Sequence, residues 1–197
     1  MAEYFIFGSL TIWNIVMTAR ERKKASEFYA HLSLAIFFGT ILLVFILPYE
    51  ADSGQAFYTV PISIPALYMT GFGMVIAGLT IYSLALRALR VAGNPRKGSH
   101  LETERMVTSG VYRYARHPMA LAVLLICLGL VLWQLHIGAV ITYAVVVIFY
   151  IIAIRKEEEE LVRKFEEDYL EYRKRVPALN IIRGWYRALN SQTREPQ

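Results

Sequence analysis

Two stretches of this chain gather residue types that can bind ions or move protons. The first, GVYRYARHPM at residues 110–119, sets Arg113, Arg116 and two tyrosines beside a His-Pro pair, just before a long apolar run. The second is Arg155-Lys156-Glu157-Glu158-Glu159-Glu160, just after another apolar run. In the first stretch Pro118 suits the opening position of a helix, because its missing N–H has no intrahelical partner there. His117 then stands at the boundary, and the free amides of the helix start favour an anion by about 0.3–1 kcal/mol. Arg113 and Arg116 need no role beyond anchoring that helix, and Tyr112 and Tyr114 also suit an interfacial aromatic belt. Tyr112, His117 and Pro118 taken together are the stronger candidates for a binding site.

In the second stretch, Glu159 with Arg163 and Glu160 with Lys164 have the favourable spacing of an exposed helix face. Glu158 differs. Leu161, Phe165, Tyr169, Tyr172 and Val176 form one stripe of a helix that stops before Pro177, and Glu158 falls about 20° from the stripe's mean direction. An inward carboxylate at that place is costly unless it is paired or bound to something. Arg155, three residues earlier, is within its reach. Other chemistries lack support. His31, His100 and His136 have no metal-ligand spacing, so no metal is expected. The single cysteine, Cys127, lies in an apolar run and reads as packing, and no nucleophile motif is present. Gly71, Gly73 and Gly78 read as close-packing points between helices, because no strand precedes them and the spacing is wrong for a nucleotide loop.

The elements that position these residues are apolar. Of 197 residues, 56% are hydrophobic, above the roughly 45–50% of soluble domains. Five runs, about 3–19, 31–48, 63–86, 118–135 and 138–154, approach the length a membrane helix needs. All 21 Lys and Arg residues lie in three segments: Arg20–Lys24, Arg87–Arg116 and Arg155–Arg194. By the positive-inside rule those segments are cytoplasmic, which puts the amino terminus outside and the carboxyl terminus in the cytoplasm. The same orientation explains the net charge of +5 without nucleic acid. The first run has its charges behind it rather than ahead, which argues against a cleaved signal peptide. The expected fold is an all-α integral membrane protein of one domain, 1–197, with five transmembrane helices and a cytoplasmic helical extension after the last. Runs four and five form a hairpin, residues 87–117 an ordered loop, and Ile181 to Leu189, with Arg183 and Arg187 interspersed, an interfacial segment.

The order of motifs resembles the isoprenylcysteine carboxyl methyltransferase family: Thr108-Ser109-Gly110-Val111-Tyr112, Arg116-His117-Pro118, the hairpin, Arg155 with Glu157-Glu158, then Phe165, Tyr169, Tyr172 and Arg175-Val176-Pro177. The resemblance covers about residues 97–182. It implies S-adenosylmethionine as cofactor, held on the cytoplasmic side by Lys97, Glu104, Arg105, Met106, Val107, Tyr112, His117, Pro118, Met119 and Ala120 with a glutamate of 157–160. Anchoring on Leu161 selects Glu158, and anchoring on Arg155 selects Glu159. Ala120 stands where the family commonly has an aromatic residue. Arg155 is the implied contact to the substrate, a prenylated cysteine carboxylate or similar lipophilic acid drawn from membrane lipid. The alternative within the wider group is N-methylation of a phospholipid amine, for which Glu158 or His117 would serve as base. A non-catalytic membrane binding or structural protein is the reading from another class.

Overall fold

A computed structural model describes residues 2–20, 25–46, 65–94, 103–134 and 137–192. It contains six α-helices among those residues: α1 (Ala2–Arg20), α2 (Ala25–Ile46), α3 (Pro65–Ala92), α4 (Pro118–Gln134), α5 (Ile137–Arg175) and α6 (Ile181–Gln192), with a 3-10 turn at Gly110–Arg113. By length and composition α3 and α5 can each cross a membrane, and α4 is a shorter apolar helix. Thr70, Thr80 and Ser83 of α3 each donate to the carbonyl four residues back. Their hydroxyls are therefore satisfied within the helix, as a low-dielectric surrounding requires.

The described residues fall into two compact units, Met1–Val75 with Cys127–Glu157, and Ile76–Ile126 with Glu158–Gln197. In the first unit, α1 and α2 pair through Phe7 stacked on Phe38, with ring centroids 6.2 Å apart. Buried Asn14 donates to the Leu10 carbonyl at 2.8 Å and meets His31 Nδ1 at 3.0 Å. Gly71 and Gly129 oppose each other, and a Cβ on Gly71 would lie 2.7 Å from the Gly129 carbonyl oxygen. In the second unit a Cβ on Gly78 would lie 2.7 Å from the Ala122 carbonyl oxygen. Only glycine permits these helix approaches. Gly73, expected to do the same, has nothing within 4 Å and takes no part in such packing.

Two boundaries differ from the sequence expectation. Residues Arg87–Ala92, assigned to the loop, continue α3, because nothing breaks the helix before Gly93-Asn94. There Gly93 N–H donates to the Leu89 carbonyl, and Asn94 takes a left-handed φ of 47°, which asparagine tolerates at helix ends. The extension after run five is interrupted at Glu166, whose φ of 46° and ψ of −122° are not helical. Such a conformation costs a non-glycine residue about 1–3 kcal/mol. Packing beyond the kink offsets it: Tyr169, Tyr172 and Val176 are buried, with Met106, Leu161, Val162 and Phe165 against them.

Candidate functional site

The second unit builds a polar cluster at the start of α4. Gly110 takes a φ of +62°, which lets the chain turn from the Thr108-Ser109 bend into the 3-10 turn. That turn drops Tyr112 into a core made with Ala85, Leu89 and Val107, on which Met119 packs. The Tyr172 hydroxyl donates to the Tyr112 carbonyl at 2.6 Å, and burial pushes the Tyr172 phenol above its ordinary pKa. The next residues are fastened by backbone. Arg116 N–H donates to the Pro177 carbonyl at 3.0 Å, and His117 N–H to the Ala178 carbonyl at 2.9 Å. Pro118, fully buried, then begins α4.

Glu158 is the centre of this cluster. Its Oε1 accepts from Arg116 Nε at 3.1 Å, Arg116 Nη2 at 2.5 Å and His117 Nε2 at 3.2 Å. Its Oε2 faces Arg173 Nε at 3.6 Å. The side chains of His117, Arg116 and Glu158 are 2%, 9% and 12% exposed, so all three ionisable groups are largely withdrawn from water. The His117 hydrogen bond, assisted by the hydrogen bonds and charge of Arg116, outweighs burial and lowers the Glu158 carboxyl to about 2. It stays ionised at neutral pH. Arg116 also donates through Nη1 to the carbonyls of Arg173, at 3.0 Å, and Val176, at 2.5 Å. One guanidinium thus ties the α4 threshold, the carboxylate and the end of α5 together.

This placement corrects the expectation for Arg116, which is the principal partner of Glu158 rather than a simple helix anchor. Arg113 is exposed. The partners of Glu158 are Arg116, His117 and Arg173 in place of Arg155, which is exposed. The amides of Arg116 and His117 are already used, so only those of Met119 and Ala120, inside the first turn, remain to the helix start. Among the other candidates, Val107 is buried, Met106 and Ala120 are half-buried, and Glu104, Arg105 and Glu159 are exposed. Glu104 accepts from Asn94 Nδ2 at 2.7 Å, and the Arg105 amide donates to the Gly93 carbonyl. Lys164, expected to pair with Glu160, donates instead to the Thr103 carbonyl at 2.5 Å. Lys97 lies outside the described residues. No group of three or more His, Cys, Asp or Glu suited to a metal occurs among the described residues.

Comparison with known proteins gives this geometry a context. The sequence profile of the phospholipid methyltransferase family matches residues 66–168, a span that holds α3, the α4 threshold and Glu158. Protein-S-isoprenylcysteine O-methyltransferases are similar over 132 residues: the Homo sapiens protein at 32% identity, covering 62% of this chain and 43% of the relative. The Xenopus laevis protein is 29% identical with 42% of its length covered, and the Rattus norvegicus protein 30% identical with 43%. The chain thus spans less than half the length of these relatives. No solved structure matches it. With just over half of its residues inside the family's profile, and its carboxylate cluster within that span, the chain belongs to the phospholipid methyltransferase family, where it is similar to the isoprenylcysteine carboxyl methyltransferases.

Proposed function

We propose that this chain transfers the methyl group of S-adenosylmethionine to the carboxylate of a prenylated cysteine, or a similar lipophilic acid, at the cytoplasmic face of a membrane that it crosses five times. The observation that carries the reading is the buried Arg116–His117–Glu158 cluster at the start of α4. The confinement of all 21 Lys and Arg residues to three segments supports the orientation.

The cluster fits a ligand that carries both an ammonium and a carboxylate. Glu158 Oε1 is fully used by Arg116 and His117, while Oε2 keeps acceptor capacity for an ammonium or hydroxyl. The Met119 and Ala120 amides at the start of α4 suit a carboxylate. Tyr112, Met106 and Val107 would form the apolar side of the same site, with Lys97 and the exposed Glu104, Arg105 and Glu159 at its edge. When bound, S-adenosylmethionine supplies a methyl group on a cationic sulfur. A carboxylate acceptor would take that methyl group without gaining or losing a proton, so the chain would need no acid or base for the transfer. The chain's task is then to position the acceptor and strip its water. Arg155, exposed on α5, is the residue assigned to orient the acceptor carboxylate.

The same cluster bears on the phospholipid amine alternative, for which Glu158 or His117 would serve as base. An ammonium must lose a proton before it attacks, and a carboxyl held near 2 is a poor base at neutral pH, so that reading would need His117 as its base. A labelled-methyl assay offering prenylcysteine analogues and total lipid extract side by side tests the choice. Base-labile product from the prenylcysteine analogue is expected, and Arg155→Ala should abolish it. Base-stable lipid product alone would establish the amine reading. Absence of S-adenosylmethionine binding by calorimetry would remove both.

A further inference from the structure

Helix α6 follows directly on the carbonyls that hold Arg116 and His117, and its surface divides into three sectors. Asn180 caps it, accepting from the Arg183 amide through Oδ1 at 2.9 Å. Gly184 faces inward, so close that a Cβ there would collide with the Tyr114 carbonyl; Ile181 and Ala188 on the same side are half-buried. That contact fixes the helix's rotation. A second sector, an arc of about 100°, carries Ile182, Trp185 and Tyr186. They are 79%, 53% and 63% exposed, so the protein covers little of this face. The third sector carries Arg183 and Arg187, both exposed, and exposed Arg113 lies on the 3-10 turn that α6 contacts.

An apolar arc bordered by arginines, in a chain two of whose described helices are long and apolar enough to cross a bilayer, is complementary to an anionic lipid surface. Trp and Tyr favour that depth because their rings are apolar and their N–H and O–H groups remain hydrated. We propose that α6 docks on an anionic membrane surface and that its seating holds the Arg116–His117 corner. The link is the pair of backbone hydrogen bonds to Pro177 and Ala178 together with the Gly184–Tyr114 contact. The docking stands on α6 alone, and its consequence for methyl-donor binding rests on the function proposed above.

The test uses the full chain in nanodiscs of phosphatidylcholine, with or without phosphatidylglycerol. Single variants Ile182→Cys, Trp185→Cys, Tyr186→Cys, Arg183→Cys and Arg187→Cys are spin-labelled; native Cys127, buried, should remain unlabelled in the parent chain. Labels at 182, 185 and 186 should collide preferentially with lipid-dissolved oxygen, and those at 183 and 187 with a water-soluble nickel complex. Preferential nickel collision at 182, 185 and 186 would overturn docking. So would spin–spin broadening that grows with protein density, which would assign the face to a second copy of the chain. Phosphatidylglycerol should tighten S-adenosylmethionine binding, and Arg183→Gln with Arg187→Gln should remove the gain. Equal affinity in both lipids would overturn the coupling. Lipid-facing labels with no methyl-donor binding in either disc would uphold the docking and overturn the proposed function.

Discussion

Each compact unit sets a histidine against a polar partner, half-buried His31 in the first and buried His117 in the second, and the two do so for different ends. In the α1–α2 pair, His31 meets the neutral side chain of Asn14, whose own amide is already spent on the Leu10 carbonyl. At the start of α4, His117 meets the ionised Glu158, and Arg116 completes a cluster that also gathers the Arg173 and Val176 carbonyls. The first arrangement joins two neighbouring helices through a hydrogen bond to an uncharged amide. The second keeps a charge out of water and leaves one carboxylate oxygen able to accept more. The proposed site is thus set apart from the α1–α2 contact by a buried charge with acceptor capacity in reserve.

The sharpest way to break the comparison is at its two carbonyl-bearing partners. Glu158→Ala leaves Arg116 buried without its counter-ion and should cost about 3–5 kcal/mol of stability, with methyl-donor binding lost in calorimetry. Replacing Asn14 and His31 together by leucine should leave turnover and methyl-donor binding unchanged, because neither residue belongs to the Glu158 cluster. If the Asn14–His31 pair abolished donor binding and Glu158 did not, the assignment of the site would be reversed.

Next in size is Arg116→Lys. A lysine keeps the charge but lacks the planar fork that reaches Glu158 and two carbonyls together, so a loss of about 2–3 kcal/mol in thermal or denaturant unfolding is expected. Full rescue by lysine would show that charge alone matters. A pH titration gives the third contrast. Glu158 has its folded pKa lowered to about 2 from the ordinary 4.5, so its stabilisation is complete above about 4.5 and is lost as pH falls toward 2. Unfolding temperatures of the Glu158→Gln variant should lack that part of the acid dependence, whereas the Asn14–His31 double variant should retain it. The smallest effect separates two glycines: Gly78→Ala meets the Ala122 carbonyl and should destabilise by about 1–3 kcal/mol, while Gly73→Ala, in open space within α3, should stabilise by about 0.5–1 kcal/mol.

Much of the site was legible because it follows helical period. Glu158 shares a face with Leu161, Phe165, Tyr169, Tyr172 and Val176, and in the structure it is largely buried while Glu157, Glu159 and Glu160 are exposed. Pro118 starts α4 because of its missing N–H, and α5 ends at Arg175, before Pro177. Arg116 was not legible in the same way. Its acceptors include main-chain carbonyls at residues 173 and 176, and a carbonyl carries no mark of residue type. The kink at Glu166 was also hidden, since neither glycine nor proline stands there to announce it. Gly73 and Gly78 look alike in sequence, and only the neighbouring helix distinguishes them.

By itself the sequence determined the helical class, the helix starts and stops near the site, the charge asymmetry and the inward side of Glu158, because these depend on local period and residue type. The tertiary structure decided which cation meets that carboxylate. Arg155 is three residues away along the helix, Arg116 forty-two residues away along the chain. The turn at Gly110 and the backbone bonds to Pro177 and Ala178 bring Arg116 into place, and proximity in space sets the electrostatic partner.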